Sequence, residues 1–258
     1  MLLSAVLIAC NEEKKIQACL DSLQFADEIV VVDSGSHDRT PEIARKANAR
    51  VFTRLLDNFA AHRNHAMSLA EGEWILFVDA DERVPMELRV EIEKTIRDPE
   101  AADGYTVYRI NQIFGGPLLH GASGKDSPLR LVRKNKGQWE GLVHEKLNVK
   151  GRVGALRGEL QHVTYQKLDE YFAKFNLFST LDAREMLRKG QPIPGWPTIL
   201  LRPWAEFIYY YILRRGFLDG SRGFIYQVLS SFYIFIKYLK MRELSKEKDL
   251  KEPGKAVI

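Results

Sequence analysis

Four short apolar, β-branched runs alternate with helical patterns through the first 81 residues, and this rhythm restricts the fold more than any other feature of the chain. The runs occupy residues 3–9, 28–32, 50–53 and 74–78. Apolar runs without alternation read as strands buried on both faces, as in a parallel sheet. Between them, Ile16, Cys19, Leu20 and Leu23 repeat at i, i+3, i+4 and i+7, one face of a helix. Thr40-Pro41-Glu42 supplies an N-cap, an N1 proline and a first-turn acid for a second helix, and residues 58–71 carry a third that Gly72 stops. Strand alternating with helix predicts right-handed βαβ units and a doubly wound sheet of the kind that binds nucleotides.

Beyond residue 81 the pattern becomes mixed. A helix over 85–97 leads to a strand over 104–110, a Gly/Pro-rich loop over 115–124, and short strands over 129–133 and 142–149. Helical patterns resume at Tyr165, interrupted by a linker over 191–197 that carries three prolines. These shifts place a boundary near residue 165, with an α/β domain over 1–165 and a helical region over 166–258. A chain of 258 residues suits one large domain with an appendage. Apolar residues at 45% and charged residues at 28% argue against disorder, a collagen-like repeat or a polytopic membrane protein. The two cysteines, Cys10 and Cys19, provide neither a disulfide framework nor a cysteine metal site. The apolar start lacks a basic leader and runs into Asn11-Glu12-Glu13, so it reads as a strand and a cytoplasmic location is expected.

In open parallel sheets ligands bind beyond the carboxyl ends of the strands. Those ends are polar here: Asn11-Glu12-Glu13 follows the first run, Asp33-Ser34-Gly35-Ser36-His37-Asp38 the second, and Asp79-Ala80-Asp81-Glu82 the fourth. Taken singly, an Asp after a strand is often a helix cap or a turn residue. Together they bring three acidic clusters to one edge. Such an edge repels an anionic nucleotide diphosphate unless a divalent cation intervenes, and carboxylates suit magnesium or manganese. Asp79 and Asp81 can reach one cation together, and Ser34-Gly35-Ser36 can form a tight turn that admits a ligand close to the backbone.

The N-terminal strand with Ala9-Cys10-Asn11-Glu12-Glu13, the segment Val31-Val32-Asp33-Ser34-Gly35-Ser36-His37-Asp38-Arg39-Thr40, Arg63-Asn64 in the third helix, and Asp79-Ala80-Asp81 together resemble the family 2 glycosyltransferases, an inverting family with the GT-A fold. The resemblance implies a GT-A mixed sheet and a nucleotide-sugar donor. By it, Asn11, Glu13 and Asp33 hold base and ribose, Arg63 lies near the donor, and Asp79 and Asp81 hold ribose and a metal-bridged diphosphate. Asp81 is the implied metal ligand, with Asp79 and His144 as further candidates. The family usually carries a catalytic carboxylate, often Glu-Asp, after the metal motif. This chain departs from that pattern with Trp139-Glu140-Gly141-Leu142-Val143-His144-Glu145, as in bacterial lipopolysaccharide core glucosyltransferases, which Arg214-Arg215-Gly216-Phe217-Leu218-Asp219-Gly220 also resembles. Inversion needs a base for the acceptor proton while a metal stabilises the departing diphosphate. Glu145 is the expected base and Glu140 the alternative, on the opposite face if the segment is one strand. His144 reads as a structural histidine, a metal ligand or a substrate contact. Lys125, Arg130 and Arg133 are candidate contacts to diphosphate or an anionic acceptor, although isolated basic residues are more often solvated.

Residues 198–258 carry 11 Lys and Arg against 6 Asp and Glu, so the net +4 of the chain belongs to this tail. From Trp196 to Tyr238 there are 13 of the 27 aromatic residues. The longest uncharged stretch, 223–236, falls short of the roughly 20 apolar residues of a membrane span. Aromatics beside basic residues fit a helical appendage at a membrane interface, peripheral to an anionic surface at the cytoplasmic face of the bacterial inner membrane. Packing of Phe224, Val228, Phe232, Phe235 and Leu239 against the rest of the chain or a second copy is the alternative. The expected activity is transfer of a hexose, glucose from UDP-glucose, to the lipopolysaccharide inner core, a lipid-linked saccharide. Transfer to polyprenyl phosphate or a peptide, and a noncatalytic nucleotide-sugar binding role, are the competing readings. Nucleic-acid binding is not expected, because the basic surplus is small and lies among aromatics.

Overall fold

The computed structural model describes residues 1–55, 58–123, 126–141 and 145–246. These divide into two compact units, one of residues 1–111 with 126–164 and the other of residues 112–123 with 165–246. Residues 112–123, which the sequence leaves ahead of the boundary near 165, thus cluster with the helical region.

The first unit is built on a mixed sheet. Its elements are β1 (Leu3–Ala9), α1 (Ile16–Ser22), β2 (Glu28–Asp33), α2 (Thr40–Lys46), β3 (Arg50–Thr53), α3 (Phe59–Leu69), β4 (Trp74–Phe77), β5 (Glu82–Arg83) and α4 (Met86–Thr95). There follow β6 (Gly104–Ile113), which crosses into the second unit, β7 (Gly116–Pro117) in that unit, and then β8 (Leu129–Arg133), β9 (Gly137–Glu140), β10 (Lys146–Val149) and β11 (Val153–Tyr165). The strand order is β3-β2-β1-β4-β8-β6-β11-β5. β1 to β4 run parallel, with Ala9 beside Asp33 and Val6 beside Phe77, while β8 runs antiparallel between β4 and β6. Both sheet faces are covered, as the unbroken apolar runs predict. One core joins alternate β1 residues to Ile16, Cys19 and Leu20 of α1 and to Leu88 and Ile92 of α4. The opposite core joins Val6, Val30 and Phe77 to Ala60 and Ala66 of α3 and to Trp139 and Leu147. Trp139 and Leu147 come from β9 and β10, an antiparallel hairpin in which Leu147 faces Trp139.

Local chemistry explains several ends. Asn58 caps α3, its Oδ1 accepting from Ala61 N–H at 2.7 Å. α2 has its proline in the first turn as expected, but begins one residue earlier than the cap reading, with Arg39 rather than Thr40 at the cap position. Behind α3, a Cβ on Gly72 would lie 2.5 Å from Ser4 Oγ and 2.7 Å from Ser4 N, so only glycine lets the chain pass β1 there.

In the second unit α5 (Leu168–Arg188), α6 (Trp196–Phe207), a π-helical turn (Ile208–Leu213), a 3-10 turn (Gly216–Asp219) and α7 (Gly220–Leu244) follow one another. Aromatic rings join α5 to α7: Phe175 stacks on Phe232 at 5.7 Å and meets Tyr233 edge-on at 5.4 Å. Pro203 lies inside α6 and cannot donate to the preceding turn, and the helix widens into the π turn soon after it. Asp219 holds residues 119 and 120 in this unit, accepting from Leu119 N–H, from His120 N–H at 2.9 Å and from His120 Nδ1 at 2.9 Å. No helix among the described residues is long and apolar enough to cross a membrane.

Candidate functional site

Because β1, β2 and β4 are parallel neighbours, the segments after them emerge at one sheet edge. Their acids are largely engaged with the chain itself. Asp33 Oδ2 accepts from the N–H groups of Gly35 and Ser36, both at 3.1 Å, and Oδ1 from Ser36 Oγ at 2.5 Å, closing the turn in which Gly35 has φ +93°. Asn11, itself at φ +55°, accepts from His37 N–H at 2.8 Å, and its own N–H donates to Ser36 Oγ at 2.9 Å. Glu13 pairs with Arg39 at 3.4 Å, and its N–H donates to Asp38. Asp38 also accepts from Thr40 N–H and Oγ1, and these bonds hold its carboxyl below the usual range against the burial that would raise it. The edge is therefore a hydrogen-bonded platform that joins the loops after β1 and β2, less repulsive to a diphosphate than three acidic clusters imply.

At the end of β4 two arginines organise the carboxylates. Arg63, 7% exposed on α3, donates through Nη2 to Asp79 Oδ1 at 2.8 Å and through Nε to Glu145 Oε1 at 3.1 Å. Its guanidinium lies over the Trp139 ring, 4.7 Å from the centroid. The adjacent Asn64 grips the Trp139 backbone in both directions, at 2.8 and 2.9 Å. Arg63-Asn64 thus fixes the hairpin whose far side leads to Glu145. Arg130 on β8, a sequence candidate for anion binding, is buried and instead bridges Asp79 Oδ2 at 2.8 Å and Glu82 Oε1 at 2.6 Å. Burial alone would raise the Asp79 carboxyl, but Arg130 and Arg63 hold it well below the usual range. Glu82, fully buried, goes the other way: burial, partly offset by Arg130, and the nearby Asp79 charge push it up. The Arg130 charge is strengthened by the same two acids.

Both oxygens of Asp79 are bound by arginine, and the second carboxylate of the motif, Asp81, lies beside β11. β5 pairs with β11, Glu82 facing His162, and Val163 N–H donates to Asp81 O at 2.8 Å. This register sets His162 Nε2 3.4 Å from Asp81 Oδ1. His162 Nδ1 lies 2.6 Å from Asn111 Oδ1 and 3.2 Å from Thr164 Oγ1, contacts that fix the ring; in the tautomer with its proton on Nδ1, Nε2 faces Asp81 as a lone pair. A histidine oriented this way by a carbonyl is suited to ligate a metal. Among the described residues no group of three or more His, Cys, Asp or Glu side chains could hold a metal. A single aspartate oxygen suits magnesium or manganese, which take their remaining ligands from substrate phosphates and water.

The other expected residues fall elsewhere. Glu140 is exposed on β9 and accepts from Asn148 across the hairpin at 2.8 Å. The single strand that would oppose Glu140 to Glu145 is not formed; β9 ends at Glu140 and β10 begins at Lys146. Arg133 ends β8 opposite Trp74 at the start of β4, with its guanidinium 4.4 Å from the Trp74 ring and paired to Glu73, away from the carboxyl ends of the parallel strands. His144 and Lys125 lie outside the described residues. His162 stands in none of the sequence motifs, and Glu82 stands only as the last acid of Asp79-Ala80-Asp81-Glu82, with no role of its own. His162 belongs to β11, whose buried Leu156, Leu160 and Val163 stand among charged and polar residues, and the sequence reading assigned no strand there.

The profile "Glycosyl transferase family 2" matches residues 4–145. The lipopolysaccharide core biosynthesis glycosyltransferase LpsC of Rhizobium meliloti is 29% identical over 247 residues, covering 93% of this chain and 91% of that protein. An uncharacterized glycosyltransferase of Rickettsia typhi is 26% identical over 257 residues, covering 94% and 87%. Staphylococcus aureus TarS 1–349 in complex with UDP-GlcNAc has a TM-score of 0.47 at 19% identity, covering 92% of this chain and 81% of that one. The family match spans more than half of the sequence and ends on Glu145, and the chain belongs to glycosyl transferase family 2 as a glycosyltransferase with the mixed α/β sheet of the GT-A fold.

Proposed function

We propose that this glycosyltransferase moves a hexose, glucose from UDP-glucose, onto the inner core of lipopolysaccharide with inversion at the anomeric carbon, while attached peripherally to the cytoplasmic face of the membrane. The observation that carries the acceptor class is the likeness to LpsC, which takes in the helical region as well as the family 2 segment. Asn11, Glu13 and Asp33 border the place for base and ribose, and Asp79 and Arg63 lie on the donor side. The acceptor oxygen bonds to the anomeric carbon from the face opposite the diphosphate as the bond from that carbon to the diphosphate oxygen breaks. Glu145 takes the acceptor proton. Arg63 contacts both Glu145 and Asp79, so base and donor carboxylate keep a fixed spacing. Asp81 and His162 would hold a divalent cation, which supplies charge neutralisation for the departing diphosphate. The surplus of basic residues over 198–258 supports attachment to an anionic surface.

The test is a transfer assay with the full chain, a panel of nucleotide sugars, and core oligosaccharides truncated at successive positions, with and without manganese. The expected result is a β-linked glucose whose formation requires both the core acceptor and the cation. Transfer that instead requires polyprenyl phosphate or a peptide overturns the acceptor assignment, and equal activity in chelator overturns the role of Asp81 and His162.

A further inference from the structure

We infer that the continuous helical stretch from Trp196 to Leu213 is the surface that enters the lipid, lying along an anionic bilayer with its outer side among the acyl chains. This rests on the peripheral attachment proposed above and assigns it to one face. In α6 only Ile199 and Pro203 are buried, and in the π turn nothing is. Trp196, Leu200, Trp204, Ile208 and Ile212 recur at every fourth position and are all exposed. With Leu201 and Leu213 beside them, Trp204 at 69% being the most open, they form one contiguous exposed apolar stretch of the kind that marks an interaction surface. The stripe is helical in period and wide, the pattern of a helix lying in a membrane interface.

Charge selects the occupant. Within 196–222 the only acids are Glu206 and Asp219. Glu206 is paired with Arg202 at 2.6 Å, and Asp219 is nearly buried beneath His120. Arg214, Arg215 and Arg222 stay exposed at the end of the stripe. A face of this kind presents cations with no exposed acid to complement them in a second copy, whereas headgroup phosphates supply that complement. The exposed apolar residues of α5 differ: Leu177, Phe178 and Leu181 lie among Lys174, Asp182, Arg184 and Glu185, charges of both signs that suit water.

The four tryptophans make the test direct, because Trp74 and Trp139 are buried while Trp196 and Trp204 are exposed. The full chain is mixed with phosphatidylglycerol vesicles, plain or brominated in the acyl chain. Emission should shift to the blue and be quenched by bromine, and both changes should vanish in the Trp196→Phe/Trp204→Phe variant. Vesicle affinity should fall about tenfold or more in Leu200→Glu/Leu201→Glu, and by about as much in Arg214→Glu/Arg215→Glu at low salt. Circular dichroism melting checks that each variant remains folded. Transfer to soluble core oligosaccharide should be unchanged in all of them, so failure of the acceptor assignment is read separately. Vesicle binding that survives Leu200→Glu/Leu201→Glu without tryptophan quenching overturns the assigned surface while leaving peripheral attachment standing. A wild-type chain that ignores vesicles overturns both. A dimer that the same leucine variant splits, with no vesicle binding, gives the face to a second copy.

Discussion

Arg63 and Arg130 divide the two oxygens of Asp79 between them, and this sharing sets what single substitutions will do. Arg130→Met removes one of two arginine partners from each of the buried Glu82 and the half-buried Asp79 and should destabilise the protein by about 2–4 kcal/mol, measured by urea denaturation. The pH dependence has a definite sign. Asp79 is held well below the usual carboxylate range, so its contribution is complete above about pH 4 and is lost as pH falls through its folded value. Glu82 is pushed up, so its contribution runs oppositely and declines as pH rises through the ordinary range. Acid unfolding followed by fluorescence should begin at higher pH in Arg130→Met. Glu145→Gln should lower transfer about 100- to 10,000-fold with donor affinity retained, because an amide cannot take the acceptor proton. Glu140→Gln is the control, and the reverse outcome would move the base to the earlier glutamate. Asp79, Asp81, Arg63 and Glu145 were readable as motif residues; the Arg130 bridge was not, since nothing in Leu129-Arg130-Leu131 distinguishes a buried arginine from a solvated one.

Among elements, the hairpin of β9 and β10 matters most for the base proposed above, because it carries Trp139 into the core and Glu145 directly precedes β10. Asn64→Ala deletes both bonds to the Trp139 backbone, at a cost of about 1–3 kcal/mol. Hydrogen exchange at the Trp139 amide should rise, and kcat should fall while the KM for the donor changes little. The parallel strands were legible because burial on both faces leaves unbroken apolar runs: β1 and β3 match their runs, and β2 and β4 end within one residue of theirs. β9 and β11 were not. Gly137-Gln138-Trp139-Glu140 buries one large ring, and β11 alternates in exposure over 153–160 but fills two of its inward positions with Gly154 and Gly158, so only Leu156 and Leu160 carry an apolar signal there. His162 is not legible without β11, since its place beside Asp81 comes from the pairing of β11 with β5.

For the molecule as a whole, ligand linkage offers a check that needs no acceptor. With UDP-glucose at about 100 times its Kd, stability should rise by about 2.7 kcal/mol in manganese and by much less in chelator, read as a thermal shift. His162→Ala should suppress most of that metal-dependent increment while leaving the melting temperature of the unliganded chain nearly unchanged. The expectation of a boundary near residue 165 pictured a helical region appended after the α/β part. The chain instead visits the helical unit once before completing the sheet, through the segment that Asp219 grips at Leu119 and His120. That connection limits modularity. A contiguous cassette ending near residue 165, grafted onto a different C-terminal region, would carry a loop evolved for an absent aspartate. Chimeras within this family should therefore retain activity when residues 112–123 are exchanged together with the helices, and lose it when the helices are exchanged alone, so recombination has two joints to satisfy where the linear sequence suggests one.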